Sequence, residues 1–182
     1  NDLMKGIEGI LREPSGCFEQ TSMSSYPNAM VLDYLKATDN KDDKVMANAT
    51  ALLNRGYKRL ITYETKDKGY EWFGSNPGHE ALSAFGLMQF NDMKNVGGDV
   101  DQKMVDRTAE WLMARKDGKG GFQRSAQALD NFGRASKEIT DAYIVYSLSE
   151  AGYTNIKKEF DESYKQAIES KDPYMLALMS CS

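Results

Sequence analysis

Ala81-Leu-Ser-Ala-Phe-Gly-Leu-Met-Gln-Phe90 decides how this chain folds. Ten residues with no charge and no proline read as helix, and apolar side chains fall nearly all round it, so the helix is buried. Two other segments have the same character, Asn28–Leu35 (NAMVLDYL) and Asp141–Leu148 (DAYIVYSL). They recur at intervals of roughly 55–60 residues, a spacing at which repeated supersecondary units are expected. Between them lie amphipathic helices with one solvated side. Asp42–Leu60 places Val45, Ala49, Leu52, Leu53 and Leu60 on one face. Asp99–Lys116 does so with Val100, Met104, Val105, Thr108, Trp111 and Leu112, and Lys157–Ser170 with Phe160, Tyr164, Ala167 and Ile168. Buried helices alternating with half-solvated ones require an inner and an outer layer. Gly-aromatic turns at Lys68–Gly74 and Lys119–Gln123 each precede a buried helix. The reading is all-α: helical hairpins arranged as an α/α toroid, with about four hairpins and the ring incomplete. Gly86, inside a buried helix, costs about 1 kcal/mol relative to Ala, which points to close packing there.

The composition is that of one soluble domain. The chain has 182 residues with 41% hydrophobic and 27% charged, enough for a core. A net charge of −4 without a basic, aromatic-interleaved patch argues against nucleic acid as a partner. The longest apolar runs are too short for membrane insertion. One His and two lone cysteines, Cys17 and Cys181, offer no zinc spacing, and no cofactor is expected. Asn1 is not a natural start, and Asp172–Ser182 reads as a helix cut short. Residues 1–182 are therefore expected to be a single domain taken from a longer protein.

The chemistry concentrates at Gly16-Cys17-Phe18-Glu19-Gln20. A thiol and a carboxamide stand three residues apart after a Pro-Ser-Gly break. If the local backbone is turn-like, Cys17 Sγ can reach the Gln20 side-chain carbonyl and form an internal thioester with loss of ammonia. Pro14 and Gly16 break one helix and Thr21–Asn28 begins the next. Cys17 and Glu19 thus lie near its positive end, where negative charge is favoured. Gly-Cys-x-Glu-Gln arises by chance in about one chain of this length per thousand. The alternative is an inert buried cysteine beside a surface glutamine.

The stretch PSGCFEQTSMSSYPNAMVLDYL, residues 14–35, resembles the thioester domain of the α-macroglobulin and complement superfamily, whose motif is Gly-Cys-Gly-Glu-Gln. The resemblance continues through Gly78–Phe85, Glu110–Arg115 with Gly120-Gly-Phe122, and Ile139–Tyr143, nearly the whole chain. It implies an α/α toroid and an extracellular or periplasmic location. It also implies a single-use covalent capture device and not a turnover enzyme: Cys17 is the thioester sulfur and Gln20 the acyl group. The implied partners are proteases trapped by the parent molecule, surface amines and hydroxyls, and other domains of the same parent chain. The bulky residue after Cys17 and the Thr-Ser after Gln20 are similar to bacterial members.

Two departures bear on the site. Phe18 replaces the motif's central Gly, which would permit backbone angles that Phe does not. Asp130 stands where complement-type members carry a nucleophilic His, so amines are the expected attackers, directly. His79, the single histidine, is either a base near the thioester or a capping residue. Glu80 replaces a family Trp and could bring a carboxylate near Cys17. Tyr26, Tyr70, Trp72, Phe73 and Tyr143 are expected walls that exclude water. An isolated chain lacks the neighbouring domains that complete this shield, so the bond is expected to be unformed or hydrolysed in it. Two further readings stand beside capture. One is an α/α-toroid enzyme, prenyltransferase-like or carbohydrate-active, for which Glu71, Glu80 and Asp130 are the available acids. The other is a non-covalent interaction module.

Overall fold

A computed structural model describes residues 2–38, 42–125 and 135–182. Eight α-helices are seen among them: α1 (Asp2–Ile10), α2 (Phe18–Ala37), α3 (Asp43–Leu60), α4 (Glu80–Asn95), α5 (Gln102–Ala114), α6 (Lys137–Glu150), α7 (Lys157–Ser170) and α8 (Pro173–Cys181). Helix α3 runs on into a single 3-10 turn, Ile61–Tyr63. The starts follow from capping chemistry. Asp42, Asp101, Ser136 and Asp172 each accept a hydrogen bond from a first-turn amide of the helix they precede.

The layers are those of an α/α toroid. Inner helices α2, α4, α6 and α8 pack side by side in that order, while α3 packs on α2, α5 on α4, and α7 on both α6 and α8. Burial separates the layers. Helix α3 buries a stripe, Val45, Ala49, Leu52, Leu53, Gly56, Tyr57 and Leu60. In contrast, α4 buries residues on more than one side, including the polar Ser83 and Gln89. Gly86 has the tight packing its cost implied: a Cβ there would lie 3.0 Å from Phe18 Cζ.

Helix α7 departs from the expected face. Its buried residues are Glu159, Ser163 and Ala167, whereas Tyr164 and Ile168 are about half exposed. Of the expected face, Ala167 is fully buried and Phe160 packs against the core, while Glu159 lies inward with Lys116 Nζ at 3.2 Å. Phe160 and Tyr164 stack on each other beside it, ring centroids 5.9 Å apart.

The hairpin repeat is visible in its turns. Antiparallel bridges pair Glu64 with Tyr70 before α4 and Lys116 with Phe122 before α6. In each, the aromatic residue after the glycine is fully buried, and its amide donates to an inner-helix side chain. Tyr70 N–H reaches Ser83 Oγ at 2.8 Å, and Phe122 N–H reaches Asp141 Oδ1 at 3.2 Å. An aspartate ties each turn: Asp67 accepts from the Trp111 indole and the Gly78 amide, and Asp117 from the Lys119 and Gly121 amides. The start of α2 lies beside the Tyr70–Gly74 segment, where Phe18 N–H meets the Trp72 carbonyl.

Candidate functional site

Helix α2 begins at Phe18, three residues before the expected Thr21, with Cys17 as its N-cap and Gln20 at N3. The pair forms the reciprocal arrangement of a capping box, in which an N3 side chain reaches back to the N-cap amide. Cys17 N–H donates to Gln20 Oε1 at 3.1 Å. This folds the carboxamide back toward the residue that carries the thiol. Gly16 makes room for it: φ there is +83°, and a Cβ would lie 2.1 Å from Gln20 Oε1 and 2.8 Å from Gln20 Cδ. The position that demands glycine is thus the one before Cys17. Phe18, in the motif's central slot, has negative φ and lies in the first turn of the helix.

Phe18 instead anchors the site. It is fully buried and packs on Tyr70 with ring centroids 5.2 Å apart, on the edge of Tyr63 at 6.3 Å, and over Gly86. Its amide donates to the Trp72 carbonyl at 3.0 Å, and the Trp72 indole donates to Glu19 Oε2 at 3.0 Å. Main chain and side chain of Trp72 therefore clamp the first turn of α2. Cys17 itself is half-buried, and Glu19 and Gln20 are exposed.

His79 is brought toward this corner through Trp72, against which its ring packs edge-on at 4.9 Å. It caps α4: Nδ1 accepts from the Leu82 amide at 3.3 Å. That bond assigns the lone pair to Nδ1. Glu80 is not directed at Cys17. Its buried carboxylate takes Arg115 Nη2 at 2.6 Å and the Ser125 amide at 3.1 Å, because a carboxylate at that depth needs a cation. Glu71 is likewise occupied, accepting from the Phe73 and Ser75 amides. Asp130 lies outside the described residues. Among the described residues, no three His, Cys, Asp or Glu side chains are grouped to hold a metal.

The expected walls separate into two places. Trp72 flanks the Cys17 turn, Tyr70 lies beneath it in the core, and Phe73 is 67% exposed. Tyr26 turns to the other side of α2, where it stacks on Phe85 at 5.8 Å and donates to Asp92 Oδ2 at 3.1 Å. Burial, then Asp92 and Tyr143, hold the Tyr26 hydroxyl well above the ordinary phenol range, so Tyr143 belongs to this second neighbourhood. Cys17 and Cys181 are both free thiols.

Sequence reasoning did not reach the groups around the Gly16 carbonyl. Arg59 Nε and Nη2 donate to it at 3.0 and 2.8 Å, Tyr63 OH at 2.5 Å, and Thr21 Oγ1 at 3.2 Å. The trace in sequence is a basic residue and a tyrosine four apart, the first in the last turn of α3 and the second in the 3-10 turn after it, a pattern that carries no meaning until that end is docked on the Cys17 turn.

A two-layer helical toroid that presents a thiol and a folded-back carboxamide at the start of an inner helix defines a class of domain. The chain belongs to the A-macroglobulin TED domain family, which it matches over residues 1–177. It is 29% identical over 125 residues to thioester-containing protein 1, allele S3, of Anopheles gambiae, covering 69% of this chain and 9% of that protein. Allele R1 of the same protein is 29% identical over 123 residues, again 9% of its length. Native alpha-2-macroglobulin of Escherichia coli, in a crystal structure spanning domain MG7 to the C-terminus, superposes with a TM-score of 0.72 at 20% identity. The match covers 98% of this chain and 27% of that one, and shows the shared fold. The chain thus spans about a tenth of the length of the curated relatives it matches.

Proposed function

We propose that Cys17 and Gln20 form an internal thioester, and that the domain serves a larger protein as a single-use covalent capture device of the endopeptidase-inhibitor or defence type. The observation that carries this reading is the 3.1 Å hydrogen bond from Cys17 N–H to Gln20 Oε1, with the acyl carbon folded over a glycine that leaves it room. The thiol and its electrophile are held within one helical turn, so the reaction has the advantage of an intramolecular encounter. The Anopheles gambiae relative is a thioester-containing protein by name, which supports the same chemistry here.

After activation of the parent molecule, an amine of a trapped protease or target surface attacks Gln20 Cδ and frees the Cys17 thiol. Asp130 in the place of the complement-type His favours amines over hydroxyls, since no imidazole then relays the acyl group. The setting is extracellular or periplasmic. Among the described residues, no helix is long and apolar enough to cross a membrane. Half-exposed Cys17 and exposed Gln20 are open to water in this chain alone, so shielding falls to neighbouring domains and the isolated chain holds no lasting bond.

Intact mass of the full-length protein tests the proposal. The expected mass is lower than the sequence mass by one ammonia, and methylamine treatment adds one methylamine at Gln20 with a new thiol at Cys17. A full-length protein at its sequence mass, inert to methylamine, refutes it. Cys17→Ala is expected to abolish covalent adducts, and undiminished capture by that variant refutes the assignment of the sulfur.

A further inference from the structure

Gly16 and Cys17 share one peptide group, and both of its polar ends are engaged. The oxygen end receives three donors from two side chains, Arg59 Nε and Nη2 and Tyr63 OH, with Thr21 Oγ1 at 3.2 Å dividing its one hydrogen between this oxygen and the Ser15 carbonyl at 3.1 Å. The nitrogen end donates to Gln20 Oε1. A peptide oxygen has two lone pairs, so two donors satisfy it. Three donors, two of them on a guanidinium, exceed what a turn needs. Hydrogen bonding at a peptide oxygen shifts electron density toward it and leaves the N–H a stronger donor, the cooperative polarisation of linked hydrogen bonds. Here the strengthened N–H points at the oxygen of the carbonyl that Cys17 Sγ must attack.

We propose that the Cys17 backbone N–H is the oxyanion donor for making and breaking the Cys17–Gln20 thioester, with Arg59 and Tyr63 as positioning residues that fix and polarise the Gly16–Cys17 peptide. The proposal rests on the thioester reading above. In formation, the Sγ–Cδ bond is made and the Gln20 Cδ–Nε2 bond breaks. The thiol hydrogen leaves on nitrogen as ammonia, and no electrons are gained or lost. In capture, a primary amine nitrogen bonds to Cδ, the Cδ–Sγ bond breaks, and an amine proton passes to sulfur. Both steps run through a tetrahedral carbon whose oxygen, Oε1, bears negative charge. A donor already 3.1 Å from that oxygen stabilises the charge without reorganisation. The arrangement also gives Gly16 a second reason to be glycine: a side chain there would push Oε1 off the donor.

The test uses full-length protein carrying 13C-labelled glutamine. Isotope-edited infrared spectroscopy reads the thioester carbonyl, and thiol release reads its second-order cleavage by methylamine. Direct loss of an oxyanion donor costs roughly 100–1,000-fold. Loss of a group acting through the peptide is expected to cost less, about 3–10-fold for Tyr63→Phe and more for Arg59→Met, with the carbonyl band moving to higher wavenumber in both. Arg59→Lys, which keeps one charged donor, is expected to fall between Arg59→Met and wild type in band position and rate. Slowed thioester formation counts as the expected result where Arg59→Lys restores it. If Arg59→Met does not fold, Tyr63→Phe carries the test, since it deletes one oxygen and keeps the ring against Phe18. A wild-type thioester with variants unchanged in band position and within twofold in rate overturns the proposal alone. A wild-type protein with no thioester band overturns it together with the reading on which it rests.

Discussion

Phe18 and Gly86 make an unusual pair, and the structure predicts that a substitution at one reverses its effect when the other is changed. Gly86 sits in the interior of α4, where replacing it with Ala brings about 1 kcal/mol of helix propensity. The added Cβ would lie 3.0 Å from Phe18 Cζ and 3.4 Å from Phe90 Cε2, both on fully buried rings that have little room to retreat. Overpacking of this kind costs about 1–3 kcal/mol. Gly86→Ala in the natural chain should therefore range from neutral to destabilising by about 2 kcal/mol. Phe18→Ala alone should cost about 3–5 kcal/mol, since it empties a site in contact with Tyr63, Tyr70 and Gly86. In the Phe18→Ala background the Cβ at position 86 meets a void, so Gly86→Ala should stabilise by about 1 kcal/mol or more. The pair should show a favourable coupling of about 1–3 kcal/mol. Urea unfolding of the four proteins, followed by far-UV circular dichroism, measures the cycle. Additivity within about 0.5 kcal/mol would refute the claim that the Phe18 ring is what keeps position 86 a glycine.

Other consequences of the site and fold are directly measurable. Gly16→Ala forces an L-residue into φ +83° and a Cβ onto Gln20 Oε1; it should lower the melting temperature by roughly 2–8 °C, for a loss of about 1–2 kcal/mol, and abolish the ammonia-loss mass of the full-length protein. Thioester formation at the wild-type yield in that variant would disprove the geometry. Arg115→Met strands the buried Glu80 carboxylate and should cost about 3 kcal/mol, whereas Arg115→Met with Glu80→Gln should recover part of the loss; urea midpoints decide. At Asp117, burial acts to raise the carboxyl, but the Lys119 and Gly121 amides and Lys137 outweigh it and hold the group below its ordinary value. Asp67 is likewise lowered, with burial opposed by Thr65, Trp111 and the Gly78 amide. Because both are depressed in the folded state, their stabilisation is present above the unfolded carboxylate value and is lost as pH falls through the folded one. The melting temperature should therefore drop below about pH 4, and Asp117→Asn should flatten that drop. An acid limb unchanged in Asp117→Asn would remove Asp117 from the account.

Much of the fold was legible because helix burial is written in the period of apolar residues. Asp42–Leu60 and Lys157–Ser170 coincide with α3 and α7 to within a residue, since Asp42 caps the first and Lys171, in the left-handed region, ends the second. The face of α7 was not fully legible, because buried Glu159 pairs with half-buried Lys116, 43 residues away in sequence, a contact that periodicity does not encode. Glu80 was misplaced for the same reason: a lone acid in a sequence does not name the cation that its burial will require, here Arg115.

The Cys17–Gln20 pairing is local, and a three-residue spacing at a helix start follows from the sequence alone, as do the two helical layers. What only the tertiary structure decided is how that pair is held. Whether residue 18 needs to be small depends on a cavity lined by Tyr63, Tyr70 and Gly86. The polarised peptide beneath the carboxamide depends on Arg59 and Tyr63, 43 and 47 residues beyond Gly16. Local periodicity encodes which helices are buried and where they begin. It does not encode which donors from another helix end will meet a given carbonyl, because that contact exists only once the inner and outer layers have packed.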